Sequence, residues 1–144
     1  MPIPEAAPDY GSVKEQLITE IRAHGHAVTG IYAGRQALVH TTTGARSGEP
    51  RVSPLAYSMD RERFVVTASR GGSPRHPSWY HNLVVNPIVT VEVDLKRIAV
   101  RASTVEGEQR EHLWLRHIAL HPGIGPYADM THRVIPVVVL EPIR

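Results

Sequence analysis

The stretch Ile88 to Val105, IVTVEVDLKRIAVRASTV, decides the fold of this 144-residue chain. Two runs rich in β-branched residues, Ile88 to Asp94 and Ile98 to Val105, are separated only by Leu95-Lys96-Arg97. A link this short cannot contain a helical crossover. The two runs are therefore predicted to pair as an antiparallel hairpin.

Four further runs share this character, and with the first two they predict a six-stranded antiparallel barrel. They are Gln36 to Thr42, Arg51 to Met59, Arg63 to Ser69 and Val134 to Leu140. Two helical segments interrupt the strands, Pro77 to Val85 and Gly107 to Leu120, and each is ended by a proline that follows it. The predicted fold class is α+β, mainly β.

One amphipathic helix is predicted ahead of the strands. Ser12 and Glu15 fit a capping box, and Gly25 is placed to end the helix. Val13, Leu17 and Ile21 share one helical face. This helix is compatible with peripheral membrane contact, but its mixed charges favour packing against the rest of the chain.

Composition is that of a globular protein. Hydrophobic residues make up 42% of the chain, the formal net charge is +2, and there is no cysteine, which excludes disulfides and thiolate catalysis. The first residues lack the features of a secretory signal, so we expect a cytoplasmic protein. The small net charge disfavours nucleic acid as a partner. We expect a lead and helix over residues 1–34, a barrel domain over residues 35–144, and a monomer or homodimer.

The segment Thr41 to Arg51, TTTGARSGEPR, joins the first two strands and combines hydroxyls, glycines and two arginines. Glycines let backbone N–H groups approach an oxyanion, hydroxyls add donors, and arginines add charge-assisted hydrogen bonds, so this segment suits a phosphate. No Gly-Lys-Ser/Thr is present, so it is not a Walker loop. Taken alone, the segment could equally be an ordinary polar hairpin turn.

A second such segment, Ala68 to Pro77, follows the third strand and leads into a predicted helix N-terminus, where anions are favoured. Trp79 and Tyr80 then offer aromatic surface for a flat heterocycle, although single aromatic residues are more often part of a core. His117 and His121 have the spacing of metal ligands, but no third ligand accompanies them and we expect no metal. A Gly-x-Ser-x-Gly elbow is also missing, which disfavours a hydrolase.

Four motifs, in this order, resemble the deazaflavin-dependent nitroreductase family. They are TTTGARSGEPRVSPL at Thr41 to Leu55, ASRGG at Ala68 to Gly72, HPSWYHNL at His76 to Leu83 and RVIPVVVLEP at Arg133 to Pro142. The resemblance covers most of residues 37–142. It implies a split β-barrel of the FMN-binding-like type, reduced coenzyme F420 as the cofactor, and hydride transfer to an electron-poor acceptor such as a quinone or a nitroaromatic.

The resemblance also implies which residues form the site. Those expected to bind the cofactor are Ala45, Arg46, Ser47, Arg51, Val52, Ser53, Pro54, Leu55, Ala56, Thr67, Ala68, Ser69, Arg70, Ser78, Trp79, Tyr80, His81 and Asn82. Arg75 is a further candidate for the acidic tail of the cofactor. Ser69, Tyr127 or solvent could supply a proton, and packing of a lid is the alternative role for Tyr127.

Two positions depart from the family pattern. Ala45 stands where a basic residue is common, which predicts weaker tail binding, and Ile124 stands where some nitro-reducing members have tyrosine. A quinone is therefore the safer acceptor. An FMN-dependent enzyme on the same barrel and a non-catalytic deazaflavin-binding protein remain the alternatives.

Overall fold

Seven strands form one curled antiparallel sheet in a computed structural model that describes residues 10–30 and 33–144. The strands are β1 Ala37–Thr43, β2 Pro50–Ala56, β3 Ser58–Asp60, β4 Arg63–Thr67, β5 Ile88–Val93, β6 Lys96–Val105 and β7 Val137–Pro142. Their order across the sheet is β2-β1-β5-β6-β7-β4-β3. The predicted split β-barrel is thus confirmed, with seven strands instead of six.

The additional strand arises because the run Arg51 to Met59 divides at Tyr57. The strands on either side of Tyr57, β2 and β3, lie at opposite edges of the sheet. Since one residue joins the two edges, the sheet must curl until they nearly meet. The N–H of Tyr57 donates to the Gln36 carbonyl at 3.1 Å, and its buried ring lies edge-on to Phe64 at 5.6 Å.

The central hairpin turns one residue earlier than the sequence suggests. Val93 pairs with Lys96, so the turn is Asp94-Leu95, and both residues have positive φ, 50° and 64°. Two consecutive left-handed residues match the twist of a two-residue hairpin. The end of the first helix rests on this turn: Gly25 has a φ of 84°, and a Cβ there would lie 3.1 Å from the Asp94 Cα.

Three α-helices lie outside the sheet: α1 Tyr10–His24, α2 Ser78–Val85 and α3 Gly107–Leu120. Helix α1 begins two residues before the predicted cap at Ser12 and ends where Gly25 predicts. Its Ile21 packs on Ala37 and Val39 of β1, whereas Val13 is 58% exposed. Within residues 10–30 and 33–144, every helix is too short or too polar to cross a membrane.

Two apolar layers hold α2 and α3 in place. The interior of the curled sheet is filled by valines and leucines of β1, β4, β5, β6 and β7, and α2 covers it with Trp79 and Leu83. Helix α3 packs Leu113 and Trp114 on the outer face of β4 and β7. Near the end of α3, Leu120 is 47% exposed, whereas His117 is fully buried.

Candidate functional site

A cleft lies where the β1–β2 loop, strand β2, the segment before α2 and the segment after α3 meet. It has two connected halves of about 990 and 530 Å³, which share Lys14, Ser53, Arg70, Pro77 and Trp79. The larger half, called here the loop half, is further lined by Gly44, Ala45, Arg46, Ser47, Pro50, Arg51, Val52, Ser78, His81 and Asn82. The smaller, called here the barrel half, is further lined by Arg35, Pro54, Leu55, Ala56, Thr67, Ser69, Gly71, His121, Gly123, Ile124 and Tyr127.

Both arginine-and-glycine segments and the tryptophan of α2 therefore meet at one cleft, as the sequence predicts. Every residue expected to bind the cofactor lines it except Ala68 and Tyr80. The Ala68 side chain is fully buried in the core. Tyr80 faces a separate cavity beside β6 and shares a 3.0 Å hydrogen bond with Thr104. Arg75 is exposed and lines neither half of the cleft.

The β1–β2 loop is fixed by the buried side chain of Asn82 from α2. Its amide oxygen accepts from the Ala45 N–H at 3.0 Å, and its amide nitrogen donates to Thr42 Oγ1 at 3.2 Å. Within the loop, the Gly44 N–H donates to the Glu49 carbonyl at 2.8 Å. A Cβ at position 44 would lie 2.5 Å from Ser47 Oγ and 3.2 Å from the Glu49 carbonyl oxygen, so a side chain there would have to displace the Ser47 hydroxyl. Asn82 thus shapes the loop half with both ends of its amide.

Trp79 forms a wall common to both halves and rests on a buried histidine. The ring of His40 lies edge-on to Trp79 with centroids 5.0 Å apart. His40 Nδ1 donates to the Ser53 carbonyl at 3.0 Å, while Nε2 is buried without a partner among the described residues. Burial lowers the pKa of His40 to about 4, so the imidazole is neutral at ordinary pH.

The cleft is strongly cationic. Lys14, Arg35, Arg46, Arg51 and Arg70 line it, and no described aspartate or glutamate does. The ion pairs found among the described residues involve other arginines. Positive charges that converge without internal partners create an attractive field for an anion. A planar ligand with an acidic extension would satisfy both the tryptophan wall and these cations.

The two histidines with ligand spacing are both buried beside the barrel half. His121 Nε2 donates to the Tyr57 carbonyl at 2.8 Å, and His117 Nδ1 shares a 2.8 Å hydrogen bond with Ser58 Oγ. Burial lowers the pKa of both, that of His117 to about 4. No group of three metal-ligating side chains occurs within the described part of the chain.

Sequence reasoning missed several residues that line the cleft. Lys14 comes from α1 and Arg35 from the connection to β1, both outside the recognised motifs. His121 is brought to the wall by the segment after α3. A local pattern could not reveal these positions, because packing of distant segments places them.

Comparison with known proteins agrees with this geometry. Residues 13–142 match the F420H(2)-dependent quinone reductase family. The chain belongs to this family. An F420H(2)-dependent quinone reductase of Mycobacterium tuberculosis (strain ATCC 25618 / H37Rv) is 40% identical over 119 residues, which cover 81% of this chain and 78% of that protein.

Two solved structures extend the comparison. An F420-H2 dependent reductase is 40% identical with a TM-score of 0.69, covering 74% of this chain and 95% of its own. A protein described as a domain-swapped dimer is 36% identical with a TM-score of 0.70, covering 93% and 100%. The predicted deazaflavin-dependent oxidoreductase is therefore confirmed at the level of the family. The match to the F420H(2)-dependent quinone reductases begins at residue 13, so most of α1 belongs to the shared region as well.

Proposed function

We propose that this chain binds reduced coenzyme F420 in the cleft and reduces a quinone. One observation carries the proposal: five cations without ion-pair partners among the described residues line the same cleft as Trp79, and no described carboxylate joins them. Coenzyme F420 combines a flat tricyclic ring with a phosphate and a glutamate tail. The cleft offers a complement to each part.

The loop half suits the phosphate and tail. Arg46 and Arg51 extend from the loop and from β2, and Arg70 stands between the halves. Arginine binds phosphate and carboxylate through paired N–H donors. Ser47 Oγ accepts from the Glu49 N–H at 3.1 Å, which leaves its own hydroxyl hydrogen available to a ligand.

The barrel half suits the ring and the acceptor. Trp79, Leu55 and Ile124 provide apolar surface there. When bound, the reduced cofactor supplies a hydride. The chain's own task is to orient the two reactants, exclude water and deliver a proton to the acceptor oxygen. We assign that proton to Tyr127 Oη or Ser69 Oγ, because both residues line this half. Hydride and proton together convert a quinone to a hydroquinone.

Equilibrium binding is the first test. We expect F420 to bind saturably, the deazaflavin riboside without phosphate or tail to bind much more weakly, and FMN not to compete. Comparing the affinities of F420 and the riboside separates the contribution of charge from that of ring stacking. Tight FMN binding without F420 binding would overturn the choice of cofactor.

Turnover is the second test. Reduced F420 is mixed with the protein and a quinone, a nitroaromatic or an enone, and its oxidation is followed optically. We expect the quinone to be reduced fastest. The proposal does not require that the nitroaromatic is reduced. Saturable binding without oxidation by any quinone would instead identify a non-catalytic deazaflavin-binding protein.

A further inference from the structure

The loop that carries Arg70 into the cleft has an unusual backbone. Arg70, Gly71 and Gly72 have consecutive positive φ values of 46°, 59° and 81°. Glycine adopts this region freely, but Arg70 does not, because its Cβ crowds the backbone. A strained residue persists only where its surroundings hold it firmly. Something outside the loop must therefore fix it.

Arg133 spans the two ends of this loop. Its Nη2 donates to the Ser69 carbonyl and its Nε to the Ser73 carbonyl, each at 2.9 Å. Its Nη1 donates to His76 Nδ1, also at 2.9 Å. A guanidinium has donors only, so His76 accepts and carries its own proton on Nε2. One side chain thus ties together the residues before and after Arg70–Gly72 and the base of α2.

The segment that carries Tyr127 packs against the same loop at Gly72. A Cβ at Gly72 would lie 2.8 Å from the Met130 Cβ and 3.4 Å from the Tyr127 carbonyl oxygen. Only a glycine fits at this position, and its backbone lies close to this segment. Arg133 itself lines neither half of the cleft.

Charge opposes this arrangement in the ligand-free protein, and a bound anion would reverse that effect. Arg133 forms no ion pair within the described part of the chain, and its burial together with the nearby Arg70 lowers its pKa. Two neighbouring guanidinium groups repel each other, and an anion bound at Arg70 would relieve that repulsion. A ligand phosphate or carboxylate in the cleft therefore stabilises the conformation that Arg133 holds.

We propose that Arg133 is a positioning residue, which holds the Ser69–Ser73 loop in its left-handed shape so that Arg70 and Ser69 face the cleft. The identity of the bound anion rests on the proposed function, but the hold on the loop does not.

Hydrogen–deuterium exchange of the ligand-free protein tests the hold directly. The Gly72 and Ser73 amides donate to the carbonyls of Ser69 and Arg70, both at 3.0 Å, so they report the shape of the loop. We expect faster exchange of these amides in Arg133→Gln and a smaller effect in Arg133→Lys. Arg110→Gln is the matched control, because Arg110 also donates to a backbone carbonyl, that of Ile135 at 2.7 Å, away from the cleft.

Binding of F420 tests the consequence. Arg133→Gln and Arg70→Ala should each weaken affinity about 10-fold, as loss of a charge-assisted hydrogen bond does. The double variant should bind no more weakly than Arg70→Ala, because Arg133 acts through Arg70. Unchanged loop exchange, additive losses, or a loosened loop with unchanged affinity would each overturn the inference. If the wild-type protein does not bind F420, the proposed function fails while the exchange result still decides the role of Arg133.

Discussion

Acid should destabilise this protein through His40, and replacement by asparagine should remove part of that sensitivity. His40 is fully buried beneath Trp79, and burial lowers its pKa from 6.5 to about 4. In the unfolded chain the same imidazole titrates near the ordinary value. The folded protein therefore binds fewer protons than the unfolded chain between these two pH values.

The sign and size follow from linkage. Because the pKa of His40 is lower in the folded state, the free energy of unfolding has its full value above pH 6.5 and decreases as the pH falls toward 4. Between pH 7 and pH 5 this costs about 2 kcal/mol for His40. His117, whose pKa is also lowered to about 4, adds a similar loss. Burial lowers the pKa of His121 as well, so the free energy of unfolding of the wild-type protein should fall by more than the roughly 4 kcal/mol that His40 and His117 contribute together over this window.

In His40→Asn the amide nitrogen can still donate to the Ser53 carbonyl, but nothing titrates. The fall between pH 7 and pH 5 should then be about 2 kcal/mol smaller than in the wild-type protein, whatever the stability of the variant at neutral pH. Urea unfolding, followed by tryptophan fluorescence, measures the free energy of unfolding at both pH values. His24→Asn, at an exposed position, is the control and should behave as the wild type. An equal loss in His40→Asn and wild type would refute this account of His40.

Three further substitutions test the cleft. If the phosphate is buried against the Arg51 guanidinium when F420 binds, Arg51→Ala should weaken binding by about 1.5–3 kcal/mol, measured by titration. Arg101→Ala, at an exposed strand position outside the cleft, should leave binding unchanged, and equal losses in the two variants would show that only net charge matters. Tyr127→Phe should lower the quinone reduction rate by about 100-fold with cofactor affinity unchanged, and an unchanged rate would favour lid packing instead. Lys14→Gln should weaken F420 binding by no more than about 1 kcal/mol, because an exposed charge is well screened; a larger loss would mean that α1 encloses the tail.

The strands could be predicted because their pattern is local. Alternating β-branched runs with short links specify antiparallel pairs, and the observed strands agree within a few residues. The break at Tyr57 could not be predicted in this way. The run Arg51 to Met59 is continuous as a pattern, and only closure of the sheet, which separates β2 from β3, bends the chain there.

In the site, too, local motifs could be predicted, whereas contacts made by tertiary packing could not. Loop residues such as Arg46 and Arg70 come from contiguous motifs and meet in the cleft as predicted. Tyr80 does not, because one helical step turns it away from the face that Trp79 presents. Lys14 and His121 reach the cleft from segments distant in sequence, so only the packed structure reveals them.

The distribution of charge explains how a chain with a net charge of only +2 can recognise an anion. Carboxylates pair with arginines outside the cleft: Glu92 with Arg22 at 2.9 Å, and Asp60 with Arg63. Surface pairs of this kind contribute little to stability. They do, however, neutralise cations elsewhere and leave those of the cleft uncompensated, so the field is concentrated where the cofactor tail would enter. Because the cleft cations are largely exposed, salt should weaken F420 binding far more than it weakens binding of the uncharged riboside. Equal salt sensitivity of the two ligands would mean that stacking on Trp79, and not charge, dominates recognition.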